Sequence, residues 1–470
     1  MNNQVLAKEI LPNGELLNEV DAALSEDLRA RRRETEVRNA KEAAEKSRIG
    51  GLSRIMRQAG AALLITAAAV FLVQGWGEME HLTRYFSFLG FTAAMCVAGF
   101  FCGIRIKEDK GARTFMALTA LVVPVHFAQL GALLYSASPY TIAGVQYPAF
   151  LTWIAPDPAA ALMTAAIGIA ALIPVTLIAF LSLARKKARL ISLVYLTSCA
   201  ALLIPFRDPD IMAFVIAALA AVFGYFDLAH LSRDSSMRTP EGTLVRGMLA
   251  VPLLITLTRT LQLYQPTEFF IAVLFALAAA GLHLYIPRST ANRDVQGFSE
   301  GIAVAPAAVS WFLLTHLATQ QITVAPEHVI LLAGLPLAAI YAVLALTAQA
   351  AGNFLRFATR ASAMGAVALQ LAIFTDPLAA VICLLTAVLI MVESFARGSS
   401  SFLIAAAAVF AFGLIRQVVN AIEVYTLSPW LSLAVLGMLT IIAGSFVERN
   451  YSSIVRSFRQ IGANFGWLEK

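Results

Sequence analysis

Apolar runs, each about 16–22 residues long, follow one another from Ala61 almost to the end of the chain, separated by short polar turns. A helix of that length is enough to cross a hydrocarbon core of about 30 Å. The runs fall at 60–76, 86–104, 114–135, 159–183, 190–206, 211–231 and 247–263, then at 269–287, 301–319, 329–348, 361–375, 378–396, 401–418 and 430–447. They are continuous rather than alternating, and too long for barrel strands of about 10 residues, so the pattern predicts helices. The expected fold is an all-α, polytopic transmembrane helix bundle of about 14 spans.

The turns between the runs differ in charge. One set is basic: RIKEDKGAR at 105–113, ARKKAR at 184–189, and turns holding Arg233, Arg238, Arg246, Arg288, Arg293, Arg356, Arg360 and Arg397. The alternate set is acidic or neutral: GEMEH at 77–81, RDPD at 207–210, QPTE at 265–268. Of the 35 Lys and Arg residues, only Arg84 and Arg207, in outer turns, and Arg259 and Arg416, within spans, fall outside the basic turns and the two tails. The positive-inside rule then places both termini in the cytoplasm, and an even number of spans is required to keep the alternation in phase.

Composition agrees with lipid as the solvent. Hydrophobic residues make up 59%, charged residues 14%, and the mean hydropathy is +0.74. A water-soluble domain carries nearer a quarter charged residues. The net charge of +6 sits beside the apolar runs and not in a basic patch with interleaved aromatics, so no nucleic-acid partner is expected. Cys96, Cys102, Cys199 and Cys383 all lie in apolar segments with no metal-ligand spacing and read as small buried residues. No metal or cofactor is expected.

Three regions follow: a charged cytoplasmic helical segment at 1–58, the transmembrane bundle at 59–447, and a cytoplasmic tail at 448–470. In the first, Leu17, Val20, Leu24 and Leu28 form one helical stripe, and 11 basic and 10 acidic residues nearly cancel. That segment suits a solvated helix, or a coiled coil for a protein partner or self-association. With a first apolar run near Ala61 behind so much charge, a signal anchor is expected and not a cleaved signal peptide. In the tail, Ile454, Phe458, Ile461 and Phe465 share a face with Arg449, Arg456 and Arg459 among them, the pattern of a helix lying on an anionic leaflet.

Ionisable and amide groups inside spans are costly, and they are the pointers to chemistry. Several spans share a plan in which a basic start leads through small residues to a polar group near the far end: Gln74, Gln129, Arg259, His316, Gln370 and Arg416. Arg259, Arg416, His316, Gln370 and Gln129 are candidate substrate-binding residues, with the guanidinium groups suited to an anion. Glu268 or Glu423 is an equally good partner for Arg259, and Asn420 and Glu423 for Arg416. Asp227 and His230, three apart on a helix, are the candidate proton relay. Glu393 and Arg397 suit an i,i+4 ion pair. No H-E-x-x-H, G-x-S-x-G or P-loop pattern is present, and no catalytic residues are assigned.

Residues 73–135, with VQGWGEMEHLTRYFSFLGF around Trp76 and Arg84 and then ALTALVVPVHFAQLGALLYS with Gln129, resemble a group of bacterial polytopic inner-membrane proteins built of repeated helical hairpins. The group has no agreed activity, so the resemblance implies a bacterial inner membrane and little else. The span count is shared with lipid and polysaccharide flippases, which is an analogy of topology. Two functions are in play: a transporter or flippase of a small or lipid-linked, anionic substrate, and a scaffold, assembly or signalling component acting through 1–58.

Overall fold

In the computed structural model, the described residues are 79–139, 152–322, 324–374, 376–397 and 399–424, with 56–67, 70 and single positions at 28, 32, 35, 36 and 39. Side chains are described as far as Gln417. The stripe at 17–28 apart from Leu28, the span at 430–447, residues 68, 69 and 71–76 of the first run, the turn at 140–151 and the tail at 448–470 lie outside them.

Every regular element among the described residues is helical. The helices are α1 (His81–Ile104), α2 (Asp109–Ser136), α3 (Pro158–Leu183), α4 (Ala188–Ala200), α5 (Pro209–Phe226), α6 (Pro240–Leu263), α7 (Glu268–Ala280), α8 (Arg293–Ile302), α9 (Val304–Gln321), α10 (Pro326–Thr347), α11 (Gly352–Ile373), α12 (Pro377–Ala396) and α13 (Ser400–Val424). Among the described residues, nine helices are long and apolar enough to cross a membrane, α8 and α9 counting as one. Two expected spans are shorter as apolar helices, Ala188–Leu203 and Ala379–Phe395. The expected span at 361–375 belongs to a helix that starts nine residues earlier, at Gly352, and brings Arg356 and Arg360 into its first turns.

Local sequence explains the boundaries. Asp157, Asp208 and Asp376 each precede a proline that opens a helix, and each carboxylate accepts the first free amides: Ala160 N at 2.7 Å, Asp210 N at 2.8 Å, Ala379 N at 2.8 Å. Thr239 and Thr267 cap α6 and α7 the same way. The cap accepts an orphan N–H while the proline supplies φ and lacks the N–H that would go unmet. Inside the helices, buried Thr92, Thr176, Thr256 and Thr260 return their hydroxyls to the carbonyl four residues back, so no donor is stranded. Pro124, Pro174, Pro252 and Pro336 sit within continuous helices.

The outward faces are apolar. Leu162, Met163, Phe214, Leu389 and Ile404 are each more than 60% exposed, and of each spanning stretch only 17% to 56% is buried in protein. Water does not tolerate that surface over helix after helix, whereas acyl chains do.

Two compact units can be separated, residues 1–122 with 148–152, and 123–147 with 153–470. In the first, Gly99 of α1 meets Phe115 and Met116 of α2, Arg57 pairs with Glu108 at 3.2 Å, and Arg84 donates to Thr152 O at 3.2 Å. Arg84 lies in the first turn of α1 and is 2% exposed, so it is a buried helix residue and not part of an outer turn.

In the second unit, the closest pairing of consecutive helices is α10 with α11. There Gly334 abuts Ala366 and the Ser362 hydroxyl reaches Gly334 O. Polar contacts between turns respect the charge classes. Basic turns meet each other through Lys187 with Asp234 (3.1 Å), and Glu300 likewise meets the turn 349–351, while Asp227 and Arg246 (2.6 Å) close the single turn between α5 and α6. Acidic or neutral turns meet through Thr267 with Asp210, His316 with Glu268 and Gln370 with Glu327 O. The two kinds of turn therefore gather at opposite ends of the helices.

Glu300, 0% exposed, holds the α10–α11 turn. Its carboxylate accepts the amides of Gln349 (2.6 Å), Ala350 (2.9 Å) and Ala351 (2.7 Å). Three charge-assisted bonds satisfy backbone groups that neither helix can serve. Glu300→Gln replaces one acceptor oxygen with a donor facing an amide, and a loss of about 2 kcal/mol is expected. The measurement is thermal unfolding in detergent followed by a thiol-reactive dye, since Cys96, Cys199 and Cys383 are buried until the fold opens. An unchanged midpoint would remove the collar role.

Candidate functional site

Four helices that run from the basic-turn end toward the acidic-turn end carry a polar side chain near their far ends, buried for Gln129 on α2 and Gln370 on α11, half-buried for Arg259 on α6 and Arg416 on α13. Each has a buried atom without a hydrogen-bond partner: Gln129 Oε1, Arg259 Nε and Nη2, Gln370 Oε1 and Arg416 Nε. In a native interior such atoms are few, and each asks for an explanation.

Arg259 is the most developed of these. Its Nη1 donates to Leu202 O at 3.1 Å, 57 residues away in sequence. That carbonyl sits where α4 ends in the turn Ala201–Leu203, so Arg259 caps an orphan acceptor. Glu268 pairs with His316 instead, and the side chain of Glu423 lies outside the described residues. Around the same carbonyl, Gly131 of α2 comes so close that an added Cβ would lie 2.0 Å from Leu202 O. One turn on, Tyr135 carries the Arg207 guanidinium 3.4 Å above its ring centroid. Arg207 and Tyr264 are also the charged and titratable groups within electrostatic range of Arg259. Two of the four basic residues that break the charge alternation thus gather at one node, formed by the end of α2, the turn after α4 and the end of α6.

The other candidates are held separately. His316 Nδ1 lies 2.9 Å from Glu268 Oε2, with Gln320 at 3.4 Å from the other ring nitrogen, and both partners of the pair are well exposed. Gln370 donates to Glu327 O. Arg416 neighbours buried Gln417, while the side chains of Asn420 and Glu423 lie outside the described residues. No hydrogen bond or ion pair joins any two of Gln129, Arg259, His316, Gln370 and Arg416.

At the basic-turn end, Asp227 and His230 do not pair. Asp227 is 0% exposed and accepts from Arg246 Nε and Nη2, both at 2.6 Å, and from the Tyr285 hydroxyl at 3.0 Å. His230 is exposed and lies against the Phe226 ring, 5.5 Å between centroids. The physical reason is the wide turn at Asp227–Leu231, closed by i→i+5 bonds, in which a residue three places on no longer stacks above the first. A second turn of that type, Gly281–Tyr285 directly after α7, supplies Tyr285, while His283 meets the Thr347 hydroxyl at 2.7 Å. Outside the helices, Asp234 is held down at about 2 by the Ser236 hydroxyl and amide and by Lys187. The expected Glu393–Arg397 pair is present at 2.7 Å, and Arg360 shares the same carboxylate at 2.8 Å.

Sequence reasoning missed Arg246 and Tyr285 as partners of Asp227, the collar at Glu300, and Gly131. No group of three or more His, Cys, Asp or Glu side chains able to hold a metal occurs among the described residues. No protein-family model matches the chain, and neither a curated protein nor a solved structure is detectably similar to it.

Proposed function

We propose that this chain is a multi-pass inner-membrane protein of about fourteen spans, with both termini cytoplasmic, that moves an anionic, lipid-linked or small substrate across the bilayer. Arg259 carries the reading. A guanidinium inside a spanning helix is expensive, and here only one of its three nitrogens is used by the protein. Arg207 beside it adds a second positive charge. A phosphate or carboxylate would satisfy the unused donors and offset the repulsion, bidentate geometry being the favoured mode for arginine. The alternation of basic and acidic turns supports the orientation, and puts this node toward the outer leaflet.

The test is lipid movement in proteoliposomes. Purified protein should accelerate the transbilayer exchange of a fluorescent phosphatidylglycerol, read by dithionite quenching. Arg259→Gln should slow the accelerated rate about tenfold, the loss of roughly 1.4 kcal/mol from one charged contact, and Arg259→Lys should restore part of it. Gly247→Ala, on the same helix with open space around it, is the control. A wild-type protein that moves neither the labelled lipid nor entrapped inorganic phosphate would defeat the proposal.

A further inference from the structure

The wide turn Gly281–Tyr285 carries a histidine that is only half used. His283 is fully buried. Its Nε2 lies 2.7 Å from the Thr347 hydroxyl, at the end of α10. That hydroxyl directs its own hydrogen into its helix, toward Val343 O at 3.2 Å and Leu344 O at 3.3 Å. Thr347 therefore accepts from the ring, the hydrogen-bond network assigns the N–H to Nε2, and Nδ1 keeps the lone pair of the neutral imidazole. Nδ1 is buried and has no hydrogen-bond partner. A buried acceptor in that condition asks for an explanation, and widened helical turns recur at functional sites.

Glu300 of α8 and Arg288 are the charged groups within electrostatic range of His283. Arg288 is exposed and bonds Leu284 O, so water screens its repulsion. Arg293 and Asp294, at the start of α8, are exposed as well. In the same wide turn, Tyr285 gives its hydroxyl to Asp227, which Arg246 also holds. Glu300 is fully buried, and its carboxylate accepts the amides of Gln349, Ala350 and Ala351, directly beyond Thr347.

From the buried lone pair, the wide turn and the carboxylate in range, we propose that His283 Nδ1 is a proton-binding site, and that the proton taken there draws Glu300 away from the turn at 349–351. The proton comes from solution at the basic-turn end, and Glu300 stays ionised. The imidazolium gains an N–H that the neutral ring lacks, and a donor in a dry interior must find an acceptor. Glu300 is the acidic group in range, and its bonds to the three amides are what it exchanges. One proton thereby loosens the turn that joins α10 to α11. The site rests on the fold and not on anion movement, so either proposal can fail without the other.

The test is amide hydrogen exchange in full-length protein in a neutral detergent, with each rate expressed as protection relative to an unstructured peptide at the same pH. The closed turn accommodates the neutral ring, so closure is complete above about pH 6.5, the value of a solvated imidazole, and is lost as pH falls below it. Between about pH 7.5 and about pH 5, protection of Gln349, Ala350 and Ala351 should fall at least about tenfold. The Ala379 amide, held by Asp376 at the start of α12, is the control and should keep its protection. His283→Gln retains a donor toward Thr347, cannot take the proton, and should keep the three amides protected at the lower pH. An equal loss in His283→Gln, or a loss at Ala379 as large as at 349–351, would overturn the site. Should the variant not fold, the wild-type curve decides it: protection that stays flat over that range, and falls only where carboxylates take protons, is the overturning result.

Discussion

Replacing Asp227 with asparagine should cost this protein about 3 kcal/mol, the low end of the range for breaking a buried ion pair. The carboxylate is fully buried and takes three donors, two from Arg246 and one from Tyr285. Asparagine keeps one acceptor oxygen and turns an N–H₂ toward a guanidinium, so the Arg246 charge stays behind without its partner. The low end applies because the Arg246 side chain is 20% exposed and water relieves part of the penalty. Tyr285→Phe removes a single hydroxyl and should cost about 1 kcal/mol. A double-mutant cycle between Asp227→Asn and Arg246→Met, by reversible denaturation in detergent, separates the pair from its surroundings. Additive losses would mean that the pair fastens nothing.

Gly131→Ala should be nearly as damaging, at about 3 kcal/mol, the upper end of overpacking. The new methyl would sit 2.0 Å from Leu202 O, 3.0 Å from Leu202 C and 3.3 Å from Leu203 Cα, all backbone atoms that no rotamer change can move aside. Glycine is required here by the close approach of α2 to the end of α4. The same displacement shifts the carbonyl that anchors Arg259, so anion movement should fall along with stability. Gly247→Ala and Gly365→Ala meet nothing within 4 Å and should be neutral or stabilise by up to about 1 kcal/mol. Equal unfolding midpoints for Gly131→Ala and Gly247→Ala would show that the helices part easily at this crossing.

The helices were readable because their signals are local. An apolar run and the charged turn before it lie within a few residues of one another, and α5 and α12 begin within two residues of the runs at 211 and 378, whereas α6 begins seven residues before the run at 247. Arg259 was identifiable as costly wherever its partner lay. Its partner was not identifiable: Leu202 contributes a backbone carbonyl, and any residue type supplies one. Asp227 misled for a related reason. Helical spacing assumes 3.6 residues per turn, and the wide turn at Asp227–Leu231 sends His230 outward and Asp227 toward Arg246. Glu300 stands next to an apolar run and looks like an ordinary boundary charge until the turn at 349–351 folds back over it.

The close seam between α10 and α11 has a mechanical consequence. With Gly334 against Ala366, the Ser362 hydroxyl reaching Gly334 O, Gln370 tied to Glu327 O and Glu300 clasping the turn, this hairpin has fixings along its whole length. It can neither slide nor roll about its own axis without breaking several of them together. Any opening of the bundle to one side or the other must carry the two helices as a single lever, with the hinge at some other seam.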